Sequence, residues 1–224
     1  MDERSARERV LLGGGAVGAA FFVVVFLVTG AVREGYDPVR HPVSALALGE
    51  FWWTQAVNFV VTGVLFVGFA FGLRTALRRL GGGVWAPLLI GLVGIGLIGA
   101  GVFPTDPVSG YPPGTPGTPV GTLDGFLHDL FSLPVFVALP AACCVVAVRF
   151  AALGRRGWAV YSVATAVVFL AGFVVAGLGF SQEPGFVAIG GLTQRLTLVV
   201  GWTWIALLAL RLLRGADQPS PLKR

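Results

Sequence analysis

Charged residues are scarce in this sequence: they make up 12% of the chain, where an ordinary soluble domain carries about 25%. Hydrophobic residues account for 55% of the 224 residues, and the mean hydropathy is +0.83. This composition excludes an ordinary soluble domain and predicts a polytopic membrane protein. The formal charge of +5 comes from basic residues that flank apolar segments, as membrane topology requires, so nucleic-acid binding is also excluded.

Cysteine and histidine are rare as well. The two cysteines, Cys143 and Cys144, are adjacent inside an apolar run, where geometry and environment argue against a structural disulfide. The two histidines, His41 and His128, form neither an HExxH motif nor a paired-histidine motif on one helix. A G-x-S-x-G elbow is absent too. No short motif therefore identifies a reaction.

Six segments are apolar and long enough to cross a membrane as α-helices, which takes about 20 residues each. They cover approximately 10–32, 54–73, 84–103, 126–148, 158–180 and 187–210. The first is long enough to span and lacks a persuasive cleavage site, so it is interpreted as a retained helix. The predicted fold class is all-α: a single integral membrane domain, residues 1–224, forming a bundle of six transmembrane helices.

The basic residues predict the orientation of this bundle, because cytoplasmic segments carry the excess of Lys and Arg. If the connections alternate between the two sides, all but three of the 16 basic residues fall on the side of the termini. These are Arg4, Arg7, Arg9, Arg74, Arg78, Arg79, Arg149, Arg155, Arg156, Arg211, Arg214, Lys223 and Arg224. Both termini are therefore predicted to be cytoplasmic, and the first, third and fifth connections are predicted to lie outside.

The fourth segment begins with ionisable residues at membrane depth. His128 and Asp129 are followed by Ser132, one helical turn after the histidine. An ionisable group at this depth costs roughly 2.5–3.5 kcal/mol on insertion scales, so it usually faces a cavity or a partner. Arg195 lies inside the sixth apolar segment. A structural ion pair between Asp129 and Arg195 is predicted, because pairing lowers the cost of both charges.

The first outer connection is too apolar for a free loop. Pro42 is followed by Ser44 and good helix formers, which predicts a short helix lying along the membrane interface. Trp52 and Trp53 follow it and suit the aromatic belt at headgroup level.

The polar residues predicted at the outer face admit several functions. The candidate catalytic residues are His41, Ser44, Asp106, His128 and Asp129. A metal site, with zinc as the ion, would use His41, His128 and a carboxylate, Asp106 or Asp129. A serine hydrolase would pair Ser44 with a histidine and an aspartate. A bis-histidine haem is disfavoured because both histidines lie at one end of the bundle.

The same residues also admit two roles without catalysis. One is a cavity open to the outer leaflet that binds a lipid or a small amphiphile. The other is a purely structural network that fixes the helices, since such networks perturb charges as active sites do. The sequence alone leaves the choice between enzyme, binding protein and structural cluster open.

Several blocks together resemble the bacterial membrane family catalogued as domain of unknown function number 998. They are residues 40–49 (RHPVSALALG) with Trp53, Gln55 and Asn58, residues 103–107 (FPTDP), residues 127–129 (LHD) and residues 191–195 (GLTQR). The resemblance extends over nearly all six helices. It implies a six-helix integral protein of the bacterial inner membrane and no established activity. The family's polar positions match His41, Ser44, Asp106, His128, Asp129 and Arg195.

Overall fold

A computed structural model describes residues 3–216, with side chains from 6 to 214. The predicted cytoplasmic residues Lys223 and Arg224, and the side chain of Arg4, lie outside the described residues. The helices are α1 (Glu3–Val32), α2 (Trp52–Arg79), α3 (Trp85–Val102), α4 (Leu123–Ala152), α5 (Arg156–Phe180) and α6 (Gly190–Ala216), with a 3₁₀ helix at Val43–Ala47. All six α-helices are long and apolar enough to cross a membrane. The predicted all-α fold with six membrane-spanning helices is confirmed.

The helices extend beyond the predicted apolar segments mainly at the arginine-rich end. For example, α2 continues past residue 73 to Arg79, and α4 continues past residue 148 to Ala152. Hydropathy marks only the part of a helix inside the hydrocarbon, whereas backbone hydrogen bonding continues into the polar headgroup region. The predicted segments were therefore correct in place, and all but one were shorter than the helix. The exception is α3, which begins and ends one residue inside the predicted 84–103, and α6 begins three residues later than predicted.

The six helices form a closed ring in chain order. Each helix packs against the next one along the chain, and α6 packs against α1. The three longer connections, 33–51, 103–122 and 181–189, lie at one end of the ring, which we call the loop end. The short connections, 80–84 and 153–155, lie at the other end, which we call the basic end because ten arginines of the described residues cluster there. These are Arg7, Arg9, Arg74, Arg78, Arg79, Arg149, Arg155, Arg156, Arg211 and Arg214.

Glycines bring α3 close to both of its neighbours. A Cβ atom on Gly94 would lie 2.7 Å from the backbone oxygen of Gly63 in α2, and one on Gly96 would lie 2.5 Å from the backbone oxygen of Phe131 in α4. Helices approach this closely in membranes where small residues line the contact. The glycine-rich third segment therefore packs as its composition predicts.

Aromatic side chains fill the middle of the ring. Phe22, Phe66 and Trp202 are almost fully buried, and the Trp202 ring lies 5.1 Å from that of Phe22 and 5.6 Å from that of Phe66. Asn58 ties α2 to α1 by donating to the backbone oxygen of Phe22 at 3.1 Å. The loop-end half of the ring is filled less completely, and the candidate site lies there.

The predicted interfacial helix after Pro42 is a buried 3₁₀ helix instead. Val43, Ala45 and Leu46 have at most 1% of their surface exposed, and the turn packs against α1, α2 and α6. Its position on the membrane surface was therefore wrong, because its apolar side chains pack between helices rather than against lipid. Trp52 and Trp53 are exposed, as an aromatic belt requires.

Candidate functional site

A cavity of about 350 Å³ lies in the loop-end half of the ring, and all six helices contribute to its wall. Its polar lining residues are Ser44, Thr105, Asp106, His128, Asp129, Ser132 and Gln194. Its apolar lining includes Phe22, Phe59, Leu97, Val135, Phe136, Phe173 and Leu198. Along α4 and α6 the polar residues come first and the apolar ones follow deeper in the bundle. The cavity is therefore polar near the loop end and apolar below.

His128 is the buried imidazole of this cavity, with 3% of its surface exposed. Its Nδ1 lies 3.0 Å from the backbone oxygen of Ala100 and 2.9 Å from that of Phe103, at the end of α3. Carbonyl oxygens only accept, so Nδ1 must carry a proton. In the neutral ring, Nε2 then has a free lone pair. His128 is therefore oriented by α3 and can accept a hydrogen bond from a bound molecule.

Asp129 and Ser132 lie next to His128 in sequence and on the same cavity wall. Asp129 is exposed, and its carboxylate forms no hydrogen bond or ion pair with the described residues 6–214. Ser132 stands one helical turn beyond His128, as the sequence predicts, because residues four apart share a helix face. These two side chains place a free carboxylate and a hydroxyl at the cavity.

Asp106 also reaches the cavity, but its carboxylate is already satisfied. Its Oδ2 accepts from the backbone N–H groups of Gly121 and Thr122, both at 3.0 Å, and its Oδ1 accepts from the Thr122 hydroxyl at 2.6 Å. Thr122 in turn caps α4 by accepting from the Gly125 N–H at 3.0 Å. Burial alone would raise the pKa of Asp106, but the hydrogen bonds from Thr122 and Gly121 lower it below its ordinary value. Asp106 thus anchors the start of α4.

Arg195 is buried and does not pair with Asp129. Its Nη1 donates to the backbone oxygens of Pro38 at 2.6 Å, His41 at 2.9 Å and Gly191 at 3.0 Å. Its Nη2 donates to the Tyr36 hydroxyl. Among the side chains described, those of residues 6–214, no ion pair joins Arg195 to an acid, so the predicted Asp129–Arg195 pair is wrong. Backbone oxygens of the first connection accept hydrogen bonds from the guanidinium instead. The buried arginine therefore needs no carboxylate partner.

The first connection is joined to the start of α6 by further backbone bonds. The Gly191 N–H donates to the oxygen of Arg40 at 3.1 Å, and the Leu192 N–H donates to that of Val39 at 2.8 Å. Gln194 accepts from the Val43 N–H at 2.7 Å through its side-chain oxygen. The orphan donors of a helix N-terminus are thus matched by a segment about 150 residues earlier. The blocks 40–49 and 191–195 are therefore in direct contact.

His41 lies in this contact rather than on the cavity wall. Its Nδ1 accepts from the Asp37 N–H at 2.9 Å, and its ring packs against Tyr36 and Tyr111 at centroid distances of 5.5 and 5.2 Å. Burial lowers the pKa of His41, although Asp37 acts in the opposite direction. The ring is therefore neutral near pH 7 and helps to pack the connection.

The candidate zinc ligands are not gathered into one group. In the described part of the chain, no cluster of three or more His, Cys, Asp or Glu side chains is placed to hold a metal ion. His41 and Asp106 are each bonded to backbone groups of their own surroundings. His128 lines the cavity without His41 beside it. The residues present do not form the three-ligand arrangement that a catalytic zinc ion requires.

Ser44 lines the cavity, but among the described residues no hydrogen bond joins it to either histidine. The Ser–His contact of an activated serine is therefore not formed. Tyr36 and Thr122 have clear roles here, yet they were not among the predicted site residues. Thr122 carried a usable signal, since a threonine two residues before a charged helical segment is a common N-cap.

Comparison of the sequence with protein-family models found a match to one family. The family model described as "Protein of unknown function (DUF998)" matches residues 16–211, which include all five candidate residues and Arg195. Neither the curated proteins nor the solved structures gave a match.

Proposed function

We propose that this chain, which belongs to the family described as Protein of unknown function (DUF998), binds a lipid or small amphiphile in the cavity at its loop end. The observation that carries the proposal is the cavity's division into a polar and an apolar part. A volume of about 350 Å³ lies near the lower end of ligand pockets, which run from about 300 to 1,000 Å³. An amphiphile has the same division of polarity within one molecule.

Two wall residues support a ligand that enters from the membrane. Asp129 and Leu133 of α4 line the cavity and are exposed on the lipid-facing surface of the bundle, with Leu133 49% exposed. An acyl chain that lies along Phe136 and Phe173 would place its head beside His128 and Ser132. Binding then needs no opening of the packed core, because the aromatic centre around Trp202 lies deeper.

The proposed membrane is the bacterial cytoplasmic membrane, with the loop end outside. The arginine cluster of the basic end supports this orientation, since cytoplasmic ends carry the excess of basic residues. The ligand would then come from the outer leaflet. Membrane lipids are its expected source.

A plugged variant tests ligand binding. Gly177 lines the cavity, and a Cβ there would meet no atom within 4 Å, so Gly177→Leu should fill the space without a backbone clash. Gly157→Leu is the matched control, because Gly157 lies in the same helix, is equally unobstructed and is outside the cavity. Diazirine-bearing C12 amphiphiles with glycerol or ammonium heads are photolysed with protein in neutral maltoside micelles.

The expected result is labelling at Phe136 and Phe173 in the natural chain and in Gly157→Leu, and its loss in Gly177→Leu. Labelling confined to Val137 and Val174, which are 54% and 58% exposed, would mean that probes contact only the lipid-facing surface. That outcome, or equal labelling in both variants, would overturn the proposal.

A second candidate function is an enzyme that acts on the bound amphiphile, and the fixed tautomer of His128 favours it. A general base needs a free lone pair directed at the substrate by a second group, and the carbonyls at the end of α3 provide this orientation. His128→Asn retains an N–H donor at the position of Nδ1 and removes Nε2. Under the enzyme hypothesis it abolishes turnover of an ester amphiphile with unchanged thermal stability.

If the ester is not turned over by the natural chain, the hydrolase hypothesis falls. A metal-dependent form is tested by elemental analysis of the purified protein. One zinc ion per chain would require His41 or Asp106 to leave its present partners, so stoichiometric zinc would revise the site described above.

A further inference from the structure

We propose that the cavity is selective for amphiphiles whose head carries a protonated amine. This rests on the proposed function, since it specifies the ligand of the same cavity. The selectivity follows from the sign of the charges at the cavity and from the polar atoms there that are still free to bind.

No lysine or arginine is found among the described residues that line the cavity. Those residues include two aspartates and a histidine. Phosphate and carboxylate heads are recognised in proteins by guanidinium or ammonium groups, or by free backbone N–H groups. An anionic head in this cavity would lie beside carboxylates without such compensation.

The nearby arginines of the loop end are already engaged. Arg33 donates to the backbone oxygens of Leu48 and Phe51 at 2.8 and 3.1 Å. Arg40 donates to the oxygen of Ser109 at 3.1 Å, and Arg195 donates to the oxygens of the first connection. Moving Arg195 to an anionic ligand would take a donor from the buried oxygens of His41 and Gly191, which is costly. Moving Arg33 or Arg40 would break hydrogen bonds that hold the connections of the loop end.

The free polar atoms at the cavity are mainly acceptors. Asp106 is saturated by donors from Gly121 and Thr122, whereas Asp129 has no partner in the described part of the chain. The lone pair of His128 Nε2 is free, and the Ser132 hydroxyl can also accept. An ammonium head provides three donors and a positive charge, which matches a carboxylate, an imidazole nitrogen and a hydroxyl on one turn of α4.

A neutral polyol head is the main competitor for this cavity. It could bond to Ser44, Ser132 and the amide N–H groups of Gln194, but it would leave the charge of Asp129 uncompensated. The two heads therefore differ in their dependence on that carboxylate, and a substitution at this position separates them.

The test uses three C12 diazirine probes with ammonium, glycerol and phosphate heads, on the full-length chain in neutral maltoside micelles. Asp129→Asn removes the charge with little change in shape. Asp124→Asn is the matched control, because Asp124 is an exposed carboxylate of the same helix that does not line the cavity. For each probe, labelling at Phe136 and Phe173 is compared between variants. Because the probe is the same in each comparison, differences between probes in their partition into micelles do not affect the result.

We expect the ammonium probe to label the natural chain most strongly and to lose labelling on the order of tenfold in Asp129→Asn. Asp124→Asn should leave labelling unchanged. Equal labelling by glycerol and ammonium probes that is insensitive to Asp129→Asn would overturn the selectivity and keep amphiphile binding. Preferred labelling by the phosphate probe would also overturn it. If no probe gives labelling that Gly177→Leu removes, the proposed function itself fails.

Discussion

Arg195 and His41 are joined through the backbone oxygen of the histidine, at 2.9 Å from Nη1, and not through the imidazole ring. The ring points to the other side, where it packs against Tyr111. Burial raises the pKa of Tyr36 to about 12, although the neighbouring Arg195 acts to lower it. The phenol therefore stays protonated, so it accepts from Arg195 and donates to the oxygen of Pro42 at 2.9 Å. Arg195 thus holds the main chain of the first connection in place through its carbonyl oxygens.

The first prediction concerns the missing ion pair. Arg195→Met should lower the free energy of unfolding by about 1–3 kcal/mol, because buried carbonyl oxygens lose their donor. Asp129→Asn should change it by less than about 0.5 kcal/mol, since the carboxylate is exposed and has no partner in the described chain. Thermal unfolding in detergent of both single variants and the double variant measures their coupling. A coupling energy above about 1 kcal/mol between the two substitutions would show that Asp129 and Arg195 interact after all.

The second prediction concerns the close approach at Gly191. A Cβ on this residue would collide with the backbone oxygen of His41 and would lie 2.8 Å from that of Pro38. Neither backbone atom can move easily, so Gly191→Ala should destabilise by about 1–3 kcal/mol. Gly177→Ala, where a Cβ meets nothing within 4 Å, should instead be neutral or stabilising. Unfolding midpoints of the two variants compare them directly, and equal midpoints would contradict the packing described.

The third prediction is a pH dependence from Asp106. Its pKa is lower in the folded chain than its ordinary value of 3.8, so its stabilising effect is complete above that value and is lost as the pH falls through the folded pKa. Asp106→Asn should therefore destabilise at pH 7 and lose this difference towards pH 3. Unfolding is followed from pH 3 to pH 8.

Glu183→Gln is the control for this series, because Glu183 is exposed and should give the same pH profile as the natural chain. A constant difference between Asp106→Asn and the natural chain over the whole range would show that the carboxylate charge is not what stabilises the start of α4.

The fourth prediction is the orientation. Single cysteines are placed at Val120, which is 68% exposed at the loop end, and at Arg156, which is exposed at the basic end. The background carries Cys143→Ala and Cys144→Ala. In intact cells, a membrane-impermeant maleimide should label position 120 and should label position 156 only after permeabilisation. The reverse pattern would place the loop end in the cytoplasm.

Much of the fold could be predicted from the sequence, because hydropathy and helix length are local properties. The six spans and the close packing of the glycine-rich α3 were of this kind. The partners of Arg195 could not be predicted in this way. A buried arginine is expected to pair with an acidic side chain, and the sequence does not show which backbone carbonyl oxygens lie nearby. The carbonyl oxygens lie within reach of Arg195 because residues 36–42 pack against the start of α6. This contact joins distant parts of the chain, and no local sequence pattern predicts it.

For the candidate site, the sequence predicted several residues that line the cavity but not their separate roles. His128, Asp129 and Ser132 were expected together because they share one turn of helix. Asp106 and His41 looked equivalent to them as titratable groups at the same face. The structure assigns Asp106 to the N-terminus of α4 and His41 to an aromatic contact with Tyr111. Which titratable groups are already satisfied depends on loop conformation, which composition does not encode.

The closure of the ring between α1 and α6 has a consequence for biosynthesis. During translation the first connection emerges long before α6, so the carbonyl oxygen of Pro38 and the N–H of Val43 lack their native partners until residues 191–195 are made. A nascent chain that stops before α6 therefore has an open bundle whose first connection is incomplete. The bundle can therefore close only after the sixth helix has been made, since α6 packs against both α5 and α1.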